Sequence, residues 1–247
     1  MAVTDRELPY EQEYDKTGLY VSPGFIDMHT HGGAGHEFFD TAADLVASCN
    51  FHLSHGTTSI CPTISAAPFY VMQRSVEQAK LAKEDTALKS NLIGLHMEGP
   101  YLSPEQCGAQ CTDYITPPVP EQYEKLIDEA GDLIARWTYA PENDRDGRFR
   151  RYLTECGILA SAGHTNAVYE DIKRAKENDC KRKDRSAFAG SVGTADMLVR
   201  VMVKAVGLSV TEAVKMLTKT PAEIMTLNKG RLKPGLDADI VVFDSIL

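Results

Sequence analysis

His29 and His31 stand one residue apart at the end of an apolar run, and that spacing can hold a metal ion. Residues two apart on a strand project to the same side, so both imidazoles can face one cation. Glu98 and His164 each close a later apolar run. Two or three histidines and a carboxylate, delivered from separate strand ends, form a common ligand set for catalytic Zn²⁺ or Fe²⁺. The alternative is a set of unrelated polar strand ends. An H-x-H pair alone is a weak signal, but its recurrence with Glu98 and His164 at other strand ends favours the metal.

The remaining histidines are read differently. His52 and His55 fall near a helix C-terminus, where an imidazole can meet the last carbonyls and the helix dipole. His36 lies in the loop after the first strand, lining a pocket or solvated. His96 precedes Glu98 by two residues, so it points the same way and either supports a ligand or meets substrate. Cys107 and Cys111 are four apart, but no second Cys or His pair follows at zinc-finger spacing.

These residues need elements to position them. Strand character is read over Val21–Met28, Thr57–Ile64, Leu92–Met97, Leu133–Tyr139 and Gly157–Ala162. Helical spacing is read over Thr41–His55, Pro68–Ala82, Pro120–Glu129, Arg145–Glu155 and Tyr169–Asn178. In the first helix Leu45, Val46, Cys49 and Leu53 share one face, and Gly56 follows as a C-terminal stop. Strand and helix alternate five times, the pattern of a parallel sheet covered by helices. A parallel barrel carries its site at the C-terminal ends of its strands, where His29, His31, Glu98 and His164 fall. Beyond, residues 186–206 and 209–227 read as helices, the second running through Pro221, and Ile240–Phe243 as a last strand.

The chain has 247 residues, 43% hydrophobic and 25% charged, enough for one large core or two smaller ones. A net charge of -9 argues against nucleic acid or an anionic membrane as partner. No window supplies the ~18 apolar residues of a membrane span, and the N-terminus has no apolar stretch like that of a signal peptide. A cytoplasmic protein is expected, with its six cysteines as reduced thiols.

The segment PGFIDMHTHG resembles the first barrel strand of the amidohydrolase superfamily, and GRLKPGLDADIVVFD resembles its closing segment. Within that superfamily HMEGPYLSPEQCGAQ, the APE of Ala140–Glu142, SAGHTNA and FAGSVGTAD are similar to the N-acetylglucosamine-6-phosphate deacetylases. The resemblance runs from about Asp15 to Asp244. It implies a TIM-type (β/α)8 barrel over residues 23–228, with a small β-sandwich domain built from residues 1–22 and 229–247. It implies hydrolysis of N-acetyl-D-glucosamine 6-phosphate to D-glucosamine 6-phosphate and acetate. One or two divalent ions would serve, zinc or iron. Glu98 and His164 would bind the catalytic ion, His29 and His31 a second. Gln110 and Ala109 would lie at the sugar, and Asp27 would orient the first histidine. The partners implied are a small amino-sugar phosphate and a second copy of the chain, as a homodimer.

The chain departs from that family after His164, where it contains no further histidine. The segments that end barrel strands six to eight have no counterpart, and with them goes the proton-shuttling Asp, so the catalytic residue is unassigned. Five parallel strands cannot close a barrel, and a whole barrel takes about 250 residues. Residues omitted from a longer chain explain this better than an internal deletion, which would leave open, apolar edges. Discontinuities are expected between Asp179 and Arg185 and between Met1 and Asp15. If the deletion is real, a non-catalytic metal- or sugar-phosphate-binding protein is the alternative. Another amidohydrolase, dihydroorotase-like or aminoacylase-like, is disfavoured by the GAQ segment and by Glu98, where several of those carry a modified lysine.

Overall fold

The computed structural model describes residues 9, 11–168, 170–173 and 193–244. Two compact units are present, one of Met1–Asp27, His52–Ser59 and Val192–Leu247, the other of Met28–Phe51 and Ile60–Ser191.

Strands β2 (Phe25–Thr30), β3 (Thr57–Ile64), β5 (Leu95–Glu98), β6 (Ile134–Tyr139) and β7 (Leu159–Ala162) hydrogen-bond in that order, with the short β4 (Asn91–Leu92) beside β3. The pairs β3–β5, β5–β6 and β6–β7 are parallel. Helices α1 (Ala42–Ser54), α2 (Phe69–Glu84), α3 (Pro120–Ala130) and α4 (Arg148–Glu155) fill the connections. The alternation read from the sequence is therefore present as far as β7. β3 is buried along almost its whole length, as a strand covered on both faces must be. α3 shows how a connection is built. Pro120 begins it, where a missing N–H costs nothing, and Tyr123, Leu126, Ile127 and Ala130 form its buried stripe. In the core they join Leu45, Ile60, Ile64, Met97, Trp137 and Phe149, each full burial contributing about 1.5–3 kcal/mol.

Two strand expectations are corrected. The run Val21–Met28 is not one strand but β1 (Tyr20–Pro23) and β2, parted at Gly24. A Cβ on Gly24 would stand 2.0 Å from Thr58 Oγ1, so the chain passes there only as glycine. The run Leu92–Met97 is parted into β4 and β5 at Gly94, which has φ +152° and lies where a Cβ would be 2.7 Å from the Leu133 carbonyl.

In the other unit β1 pairs antiparallel with β8 (Ile240–Phe243), Tyr20 opposite Phe243. Helices α5 (Ala195–Lys204), α6 (Val210–Leu217) and α7 (Lys219–Ile224) follow. Phe25, Val199, Ala213 and Val214 form their core. Ser209 caps α6 with a reciprocal Glu212 contact. The single helix expected over 209–227 is corrected: it breaks at Thr218, whose φ and ψ are -127° and -79°. The break puts Pro221 in the first turn of α7, where its missing N–H has no partner to lose and its ring meets no helical carbonyl behind it. Of the helix expected over Tyr169–Asn178, residues 170–173 are helical and the rest lie outside the described residues. So do residues 186–192, the whole Asp179–Arg185 window and most of the Met1–Asp15 window. Among the described residues no helix is long and apolar enough to cross a membrane.

Candidate metal centre

β2 ends at Thr30, so His29 lies on the strand and His31 just beyond it. The Thr30 N–H donates to Thr63 Oγ1 (3.1 Å), tying this strand end to β3. The two rings project alike, their Nε2 atoms 3.1 Å apart. β5 ends at Glu98, whose side chain is only 3% exposed. Its Oε1 lies 3.1 Å from His29 Nε2 and 3.3 Å from His164 Nε2, and its Oε2 lies 3.1 Å from His31 Nε2. Thus, of the four residues singled out at strand ends, three histidines converge on the carboxylate of the fourth. His29, His31 and Glu98 form the compact part, with ligand atoms all within 4.8 Å of one another. His164 joins the cluster at Glu98, outside that compact group.

Charge decides what such a group can hold. Burial alone would raise the Glu98 pKa, but the hydrogen bonds from His164, His29 and His31 outweigh it and hold the carboxyl far below the usual range. His164 Nδ1–H donates to the Gln106 carbonyl (3.0 Å), which can only accept. In the neutral ring Nε2 is therefore a bare acceptor facing a carboxylate, itself an acceptor. A proton or a cation must lie between them. The Glu98 hydrogen bond accordingly raises the His164 pKa, against burial. Three imidazoles on one carboxylate cannot all be protonated without net repulsion, whereas neutral rings and an anion suit a divalent ion. Ligands tetrahedral about zinc at about 2.0–2.1 Å stand roughly 3.3 Å apart, close to the spacings here. The donor set fits a divalent metal.

Gln110 is in reach as well. Its Nε2 donates to Glu98 Oε2 (2.7 Å), and its Oε1 accepts from the Ala66 N–H (2.8 Å), so the amide orientation is set. Ala109 is exposed beside it. Asp27 is half-buried on β2, two residues before His29.

Other histidines are kept from the cluster. His96 is fully buried, with Nδ1 3.1 Å from Thr63 Oγ1 and Nε2 2.7 Å from Thr138 Oγ1. Burial, then the nearby Arg136 charge, lowers its pKa well below the ordinary value and keeps the ring neutral. Its ring meets the edge of His29 at 4.7 Å, so it supports a cluster residue and has no face free for substrate. His36 is partly exposed, and its Nδ1 contacts Asp44 Oδ1 (2.7 Å) at the start of α1. The His55 ring pairs with Asp196 (3.2 Å), and His52 is buried in α1, so neither belongs to the cluster's ligand set. Cys107 and Cys111 are free thiols outside the metal-capable group. Sequence reasoning missed Thr63, Thr138, Ser65, which lies 3.1 Å from His31 Nδ1, and Gln106. Only the strand register, pairing Thr63 with His96, brings the first of these into view.

The fold and the cluster together define the class, an α/β protein with a candidate metal centre at the C-terminal ends of parallel strands. The chain belongs to the amidohydrolase family, whose sequence model matches residues 20–197 and 184–246. It is 37% identical over 164 residues to N-acetylglucosamine-6-phosphate deacetylase of Bacillus subtilis, a match covering 64% of this chain and 41% of that protein. The human protein of that name is 32% identical over 173 residues, covering 68% and 41%. The chain thus spans about two-fifths of the length of the curated relatives it matches. Among solved structures, the Pasteurella multocida deacetylase of the same name superposes with a TM-score of 0.85 at 23% identity, covering 97% of this chain and 86% of that one. The Mycobacterium smegmatis protein gives 0.84, also at 23% identity, covering 99% and 87%.

Proposed function

We propose that this chain carries the metal-binding half of the site in an enzyme that hydrolyses N-acetyl-D-glucosamine 6-phosphate to D-glucosamine 6-phosphate and acetate. The observation that carries the reading is the convergence of His29, His31 and His164 on the buried Glu98 carboxylate. The relatives' names supply the substrate class. Glu98 and His164 hold one divalent ion, and His29 and His31 hold a second position; zinc is the first choice of metal and iron the second. A bound ion of this kind polarises an amide carbonyl and lowers the pKa of a water. The protein's own part is to keep Glu98 ionised, to hold the His164 proton on Nδ1, and to present Gln110 and Ala109 beside the cluster, where the sugar is received. Glu98 is fully engaged by its neighbours, so the group that passes a proton to the leaving amine is assigned to no described residue.

The same reading takes residues 23–228 as part of a (β/α)8 barrel and residues 1–22 with 229–247 as a small β-domain. The pairing of β1 with β8 supports the second. It also takes the active form as a cytoplasmic homodimer, on resemblance alone. The test is acetate release by the purified full-length protein loaded with zinc. Turnover of the phosphorylated sugar, abolished by a chelator and restored by zinc, is the expected result, with the unphosphorylated sugar a poorer substrate because remote binding energy positions the amide. Zinc binding without any acetate release would instead favour the non-catalytic alternative.

A further inference from the structure

His164 carries φ +49°, a left-handed backbone state that residues with a Cβ avoid. Something must hold it there, because the strand has already ended: the last ladder contact is the Gly163 N–H on the Tyr139 carbonyl at 3.2 Å. The next two residues are gripped by one carboxylate. Glu142 Oε2 accepts from the Thr165 hydroxyl, and its Oε1 accepts from the Asn166 N–H at 2.7 Å. Glu142 sits in the short 3-10 turn Pro141–Asn143 that follows β6, so its grip comes from a neighbouring strand end.

The grip extends to the third strand end. The Asn166 side chain accepts from Gln106 Nε2 (2.7 Å) and donates to Ser103 Oγ (3.2 Å). The Ser103 N–H in turn donates to the His164 carbonyl (2.8 Å). Gln106 also receives the His164 Nδ1–H on its own carbonyl (3.0 Å). The Nδ1–H contact that sets the ring's tautomer therefore lies on a segment that Asn166 ties to the turn held by Glu142. Both oxygens of Glu142 are occupied by neutral donors, and it touches none of the cluster's ligand atoms among the contacts of the described residues.

We propose that Glu142 is a positioning residue for the metal centre, holding the left-handed turn that aims His164 Nε2 at Glu98. The proposal rests on the reading of the cluster as a metal site. Outer partners of metal ligands typically cost roughly 10–100-fold in metal affinity when removed, and Glu142 belongs to that class through the backbone and not through the ring.

The test is zinc titration of the purified full chain by calorimetry in a double-mutant cycle. Glu142→Ala should weaken zinc binding by about 10-fold or more. Glu142→Gln, which keeps a carbonyl oxygen for the Asn166 N–H, should recover most of that loss. In a His164→Ala background, Glu142→Ala should change affinity by less than about twofold, because the group it aims is gone. Equal losses in the two backgrounds would mean a general structural role and overturn the proposal, as would wild-type affinity in Glu142→Ala. If that variant fails to fold, Thr165→Val removes one of the two contacts and is read by the same cycle. Absence of zinc binding by the unmodified chain would overturn the metal reading itself, a result distinct from either of the others.

Discussion

Two buried charged groups in this molecule make opposite use of their surroundings. Lys229, with its side chain 7% exposed, donates to Asp239 Oδ2 (2.6 Å) and Ser59 Oγ (2.9 Å) and lies 3.6 Å from Asp237. A cation there meets two anions and a hydroxyl, all of them acceptors. Glu98 is more deeply buried, yet it faces rings of which one, His164, has its donor already committed to Gln106. The first site is complete in its charges; the second is completed by a proton or a cation. Buried charge that is fully paired within the chain acts as a clip between segments. Buried charge whose neighbours are themselves acceptors marks a place for a ligand.

The contrast can be broken by exchanging the expected phenotypes. Glu98→Gln should have the largest effect, removing most of the bound metal, because a neutral amide is a poor ligand for such a cation. Metal content after dialysis against dilute zinc is the measurement, and near-stoichiometric metal in the variant would sink the assignment. Lys229→Met keeps the apolar stem and strands Asp239 without its cation. Removing one partner of a buried pair costs about 3–5 kcal/mol when both are fully buried. Asp239 is 31% exposed on its side chain, which brings the expectation down to about 2–3 kcal/mol of unfolding free energy. Its metal content should match the unmodified protein. Denaturant unfolding and metal analysis on the same preparation would show whether the two sites are as separate in function as they are in chemistry.

The sequence disclosed the cluster better than its supports. His29 and His31 were legible because a strand has period two, and Glu98 and His164 because a parallel sheet collects its strand ends on one face. What positions them was not legible. Thr63 and Thr138 hold His96 only because three separate strands fall in one register, and no local pattern encodes register between strands far apart in the chain. Glu142 lay in a motif noticed for its resemblance, without a role, since its partners Thr165 and Asn166 belong to another loop. The breaks at Gly24, Gly94 and Thr218 were likewise missed. Apolar periodicity continues across them, and each is set by a tight approach or a backbone angle that composition does not announce. The His55 partner Asp196 was not foreseen for the same reason, being distant in sequence.

The smallest expected effect is the sharpest on mechanism, because it asks which group holds the proton before the metal arrives. In the metal-free protein His164 keeps a proton on Nε2 up to a pKa above 6.5, raised by the Glu98 hydrogen bond against burial. Glu98 itself stays ionised throughout, since the three histidine bonds outweigh its burial, so it adds no slope near neutrality. A group whose pKa is raised in the folded state stabilises that state below its unfolded pKa and loses the contribution as pH rises through the folded value. The metal-free protein should therefore lose a little stability as pH rises above about 6.5, while zinc, which must displace that same proton, should bind more tightly as pH rises. Thermal midpoints with and without excess zinc should diverge with pH, and zinc binding near pH 6 should release a proton to the buffer. A constant gap between the two curves, with no proton released, would show that the atom facing Glu98 carries no proton to displace. The complementarity argued for His164 and Gln106 would then fail, even if metal still binds to His29 and His31.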